Sequence, residues 1–88
     1  MIEQKVKVTT NIEAKSAALF VQTANKFTSN IKVKIDNRIV NAKSIMGMIS
    51  LGILRGQDVV IMADGYDETN VVGELKKVLQ WYFKKVRK

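Results

Sequence analysis

The sequence predicts an α+β domain in which three helices cover one face of a four-stranded antiparallel sheet, in the order βαββαβα. Three observations carry that prediction. Short segments rich in Ile and Val alternate with charged residues or run apolar between turn residues, the mark of strands. Three other segments place apolar side chains at intervals of three and four, the stripe of a helix packed on one side. Finally, 88 residues with 47% hydrophobic and 26% charged side chains suffice for one core, and two packed layers are what such a pattern favours.

Taken in order, residues 2–9 place Ile2, Val6 and Val8 on one side and predict the first strand. A loop, "TNIEAK", leads to Ser16, whose hydroxyl suits the N-cap of a helix carrying Ala17, Phe20, Val21, Ala24 and Phe27 as its stripe. Ile31, Val33 and Ile35 share the next alternation, the chain turns at Asp36-Asn37, and Ile39 lies on the return, a β-hairpin signal. Ser44 opens a short apolar helix that Gly52 or Gly56 closes. "DVVIMADG" has the length and composition of a buried strand. Val71, Val72, Leu75, Val78, Leu79, Tyr82 and Val86 then form the stripe of a last, long helix. The pattern gives one domain spanning residues 1–88, since no linker, repeat or low-complexity stretch divides it.

Composition removes most enzyme chemistry. The chain has no cysteine and no histidine, so disulfides, Cys/His zinc sites and histidine-assisted nucleophiles are excluded. No paired acid and base stands out, no metal or cofactor is called for, and a binding protein is expected instead of an enzyme. The N-terminus has no basic-then-apolar signal pattern and no apolar run reaches membrane-spanning length, which points to a cytoplasmic protein.

Two blocks, "SAALFVQTANKFTSNIKV" and "VNAKSIMGMISLGI", resemble the HPr phosphocarriers of the bacterial sugar phosphotransferase system over roughly residues 3–75. The resemblance implies an HPr-like open-faced β-sandwich, the same βαββαβα order. In that family a histidine within a Gly-x-His-Ala-Arg-Pro-Ala turn carries the phosphoryl group. The matching stretch here is "NIEAKSA", which puts Glu13 at the histidine position, Lys15 at the arginine and Ser16 at the proline. A carboxylate would form an acyl phosphate where imidazole offers a neutral nitrogen, so phosphoryl relay is not expected. Two readings of Glu13 are open, a permanent charge imitating a phosphorylated residue or simply an acid favoured by the helix dipole. Lys15 keeps a positive charge for a partner but not the planar fork of an arginine.

The family's regulatory serine corresponds to Ser44 in "NAKSIMGMISL". A helix N-terminus stabilises an added phosphate, and the same serine could equally be a plain cap. The resemblance favours the regulatory role. It implies modification by an ATP-dependent HPr kinase/phosphorylase and binding of the modified form to a LacI-type catabolite control regulator. Lys15 and the apolar Ile45, Met46, Met48 and Ile49 are the expected partner-binding residues, since this helix is apolar nearly all round and too short to be enclosed.

The end of the chain departs from the family. Net charge is +7, and six of the fifteen basic residues lie in the last thirteen positions, which hold no acid. Lys76, Lys77, Lys84, Lys85, Arg87 and Lys88, with Trp81 on the side of Lys77, Lys84 and Lys88, form a basic patch on the last helix. Such a patch is either a solvated face with cations suited to a helix C-terminus, or a contact for nucleic acid, an anionic membrane surface or an acidic protein.

Overall fold

The computed structural model describes residues 1–87, with side chains as far as Gln80. The elements are β1 (Ile2–Lys7), α1 (Ala14–Ala24), β2 (Asn30–Ile35), β3 (Arg38–Asn41), α2 (Ile45–Leu51), β4 (Asp58–Asp64) and α3 (Glu68–Arg87). The four strands form one antiparallel sheet in the order β1-β4-β2-β3. The expected order of elements and the two-layer architecture hold.

The sheet divides its side chains cleanly because successive residues point to opposite faces. Val6, Ile31, Val33, Ile35, Val59, Ile61 and Ala63 are buried beneath the helices, and their strand neighbours Lys5, Lys7, Lys32 and Lys34 are exposed on the other face. Helix α1 contributes Ala17, Phe20 and Ala24 to that core, α2 contributes Met48 and Leu51, and α3 contributes Val71, Val72, Leu75 and Leu79. Central β4, the most continuously apolar strand, is hydrogen-bonded on both sides, whereas short β3 and lysine-bearing β1 form the edges.

Element boundaries differ from the sequence expectation at three places. Helix α1 begins at Ala14, one turn before the expected start, and Ser16 is inside it: the Glu13 carbonyl accepts from the Ala17 N–H at 2.7 Å. The apolar stripe starts at Ala17 because the first turn, with Ala14 and Lys15, faces solvent, so periodicity alone could not reveal it. At its other end α1 stops at Ala24; Phe27 packs against the core from the turn that follows. Strand β1 stops at Lys7, and the buried Val8 continues by backbone pairing with the loop before β4, donating to Gln57 O at 2.9 Å and accepting from Gly56 N at 2.8 Å.

Turn chemistry follows the sequence closely. Asp36 takes a φ of +53°, the left-handed conformation demanded by the first central position of a two-residue hairpin loop. Gly52, not Gly56, closes α2, at φ +61° with its N–H donating to Ile49 O.

Candidate functional site

The first candidate region is the loop leading into α1. Its backbone is tied to the segment before β4: Ile12 N donates to Ile53 O at 3.0 Å, and the Arg55 N–H donates to the Asn11 side-chain oxygen at 2.7 Å. These bonds shape an open cleft of about 660 Å³ lined by Thr10, Asn11, Glu13, Ala14, Lys15, Ser16 and Arg55. Glu13 and Lys15 are thus brought to one cleft, as their spacing in the turn implies. Arg55, 40 residues on, was not singled out from the sequence; only the fold carries it there. Glu13 is the N-cap residue of α1 by backbone geometry, in extended conformation, and its carboxylate makes no capping hydrogen bond. The first turn of α1, without a side-chain cap, thus lines this cleft together with one carboxylate and two cations.

The second region is the start of α2. Ser44 is half-buried in extended conformation, its Oγ accepts from the Gly47 N–H at 3.1 Å, and its carbonyl accepts from Met48 N at 3.0 Å. This is an N-cap in full, so the capping role is met by geometry. Gly47 keeps the spot open: a Cβ there would meet Val40 Cβ at 3.2 Å and Ser44 Oγ at 3.3 Å. The helix is held at both ends from elsewhere in the chain. Arg38 on β3 donates to the carbonyls of Leu51 at 2.8 Å and Ser50 at 3.3 Å, cationic donors at the negative end of the helix. Beside Ser44, Lys43 donates to Phe27 O at 2.7 Å.

Of the four apolar residues of α2 expected at a partner surface, three are exposed. Ile45, Met46 and Ile49 are 38%, 71% and 44% exposed, on one side of the helix. Met48 is fully buried and belongs to the core. The correction follows from helix geometry: Met48 and Leu51 are three residues apart on the side that meets the sheet, and a helix of seven residues has one inward face. Leu54, just past the helix, and Leu19 on α1, which packs against α2, add exposed apolar side chains. Leu19 was hidden in the sequence because it sits next to the true stripe residue Phe20.

In the basic patch, Lys76 and Lys77 are exposed on α3, and Lys77 lies 3.4 Å from Glu74, an exposed pair of little energetic weight. Trp81, Lys84, Lys85, Arg87 and Lys88 lie outside the residues whose side chains are described. No helix of the described residues is long and apolar enough to cross a membrane.

A third polar cluster is structural. Asp67, just before α3, accepts from Thr28 N at 2.9 Å, Ser29 N at 3.1 Å and the Ser29 hydroxyl, tying the α1–β2 loop to the start of the last helix. The hydrogen bond from Ser29, followed by those from the two amides, holds the Asp67 carboxyl below its ordinary value despite an opposing cost of desolvation. The adjacent Glu68 is lowered in the same way, first by the Gly65 N–H and then by the N-terminal ammonium 3.2 Å away.

Comparison with known proteins places this geometry. Residues 2–80 match the family model described as the PTS HPr component phosphorylation site. The HPr-like protein Crh of Bacillus subtilis is 45% identical over 82 residues, 91% of this chain and 96% of that protein. Among solved structures, the phosphocarrier protein HPr of Bacillus anthracis superposes with a TM-score of 0.86 at 38% identity, covering 90% of this chain and 96% of that one. The solution structure of Crh, the Bacillus subtilis catabolite repression HPr, matches with a TM-score of 0.66 at 41% identity over 89% of this chain and 95% of that one. With the same order of elements, the same open sheet and a family match over nearly its whole length, the chain belongs to the HPr family.

Proposed function

We propose that this protein is a regulatory HPr homologue of carbon catabolite control, switched by phosphorylation at Ser44 and acting by binding, not by phosphoryl relay. The single observation that supports it most is the setting of Ser44, a half-buried hydroxyl at the N-terminus of α2 with Ile45, Met46 and Ile49 exposed beside it. Transfer of the γ-phosphoryl of ATP to Oγ, with release of ADP and the hydroxyl proton, adds nearly two negative charges where the helix dipole and free amides favour them. The charge changes what can dock on the neighbouring apolar side chains. The enzyme for this step is an HPr kinase/phosphorylase, and the partner is a LacI-type catabolite control regulator that reads the phosphorylated form in the cytoplasm. Similarity to Crh supports the regulatory class. Loss of relay is in keeping with Glu13 at the turn and with the absence of histidine from the whole chain.

Incubation with HPr kinase/phosphorylase and ATP, followed by intact-mass measurement, is expected to add one phosphate to the native chain and none to Ser44→Ala. The phosphorylated form is expected to bind the regulator at least tenfold more tightly. No mass gain, or a gain that persists in Ser44→Ala, rejects the proposal. A second reading, contact with nucleic acid, an anionic surface or an acidic protein through the last helix, draws on the six basic and no acidic residues of its final thirteen positions. Binding to DNA that falls steeply with salt, and disappears when those lysines are neutralised, would favour it.

A further inference from the structure

The face of the sheet turned away from the helices carries its own pattern. Strand register sets Lys5, Val60, Lys34 and Ile39 in one row across β1, β4, β2 and β3, and Glu3, Met62, Lys32 and Asn41 in the next. At about 4.8 Å between strands, Lys5 and Lys34 stand roughly 10 Å apart with Val60 between them, and Lys32 and Lys34 are roughly 7 Å apart along β2. Val60 and Met62 are half-buried and Ile39 is 52% exposed. Lys7 is taken up by Asp58 at 3.5 Å, but Lys5, Lys32 and Lys34 enter none of the ion pairs among the described residues.

A merely solvated face accounts for part of this, since lysine stems can lie over Val60 and Met62 with their ammonium groups in water. It does not account for three uncommitted cations around an aliphatic row that ends in exposed Ile39. The signs of charge also discriminate among occupants. Glu3 stands in the second row, and Asp58 and Asp64 lie at the two ends of β4. Asp58 and Asp64 are paired with Lys7 and the N-terminal ammonium, which leaves Glu3 as the acid on this face outside the described ion pairs; a uniformly negative polyphosphate chain or bilayer meets repulsion there, whereas a protein surface can match both signs. None of the four strands contains an aromatic residue on which bases could stack.

We propose that this open face is a docking surface for an acidic protein, which lays aliphatic side chains on Ile39, Val60 and Met62 and carboxylates over Lys5, Lys32 and Lys34. The surface lies on the opposite side of the sheet from α2 and acts independently of Ser44. The chain's net charge of +7 steers such a partner toward it.

The test is an amide NMR titration of the full chain with a synthetic amphipathic helical peptide bearing a leucine row bordered by glutamates. Expected shifts are confined to the strands, centred on Lys5, Lys32, Lys34, Val60 and Met62. Affinity should fall about tenfold or more in the K5E/K32E/K34E triple variant and in the milder K5Q/K32Q/K34Q, and a peptide with lysines for glutamates should restore binding to K5E/K32E/K34E. Shifts on the α1–α2 side, no shifts, or indifference to the triple substitutions overturn the proposal. So does tighter binding of oligothymidylate or phosphatidylserine vesicles to the same face.

Discussion

Single residues decide the chemistry of this fold more than composition does. Ser29 and Asp67 illustrate it, because an ordinary serine and aspartate, 38 positions apart, join two loops into one network. Since that network depresses the folded pKa of Asp67, its contribution is complete above the ordinary carboxylate range near pH 4 and is lost as pH falls through the lower folded value. Thermal unfolding followed from pH 7 to pH 2.5 should therefore steepen in loss of Tm below pH 4, and Asp67→Asn should be less stable at pH 7 with a flatter acid limb. Parallel curves for the two proteins would mean that no ionised carboxylate holds the loops. Nothing in the sequence marks Asp67 above its neighbours Asp64 and Glu68. Ser44, by contrast, was legible, because it directly precedes the apolar run that it caps, whereas Ser16, read by the same sign, lies inside α1.

At the level of elements, helix ends are set by conformation as much as by side chains. Helix α2 leaves its last turn through Gly52 in the left-handed region, with nothing within 4 Å of the position a Cβ would take. Gly52→Ala should thus cost about 1 kcal/mol from backbone strain alone, with no steric clash, and urea unfolding should show a lower midpoint at unchanged slope. An unchanged midpoint would show that the turn has no left-handed demand. The type of every element was readable, β1, α1, β2 and α3 from periodicity, β3 from the hairpin at Asp36-Asn37, α2 from its cap and closing glycine, and β4 from its length and apolar composition. The first turn of α1 was not, because a solvent-facing turn leaves no apolar trace, and the apolar character of α2 concealed which of its methionines points inward.

Across the whole molecule, charge is the uncompensated quantity. A net +7 on 88 residues stores repulsion, and of the four described ion pairs three are exposed on both sides and weak, while only that of the N-terminal ammonium with Glu68 has a partly buried partner. Raising NaCl from about 10 mM to 200 mM shortens the Debye length from roughly 30 Å to under 10 Å. Stability should rise; each 1 kcal/mol regained corresponds to roughly 4–8 °C in Tm for a domain of this size. A Tm that falls with salt would show instead that attractive pairs dominate.

By itself the sequence determined the kinds and order of the elements, the apolar set that must be enclosed, the serine at the head of α2 and the impossibility of histidine chemistry. Those are local matters, written in spacings of two to four residues or in plain composition. Tertiary structure alone decided that Met48 goes in while Met46 stays out, that Arg55 reaches the Glu13 cleft, that Arg38 holds the end of α2, and that three lysines from two strands surround Val60 and Met62. Each of these depends on which remote strand pairs with which and on the face each helix turns to the sheet, and chain spacing does not encode that partnership.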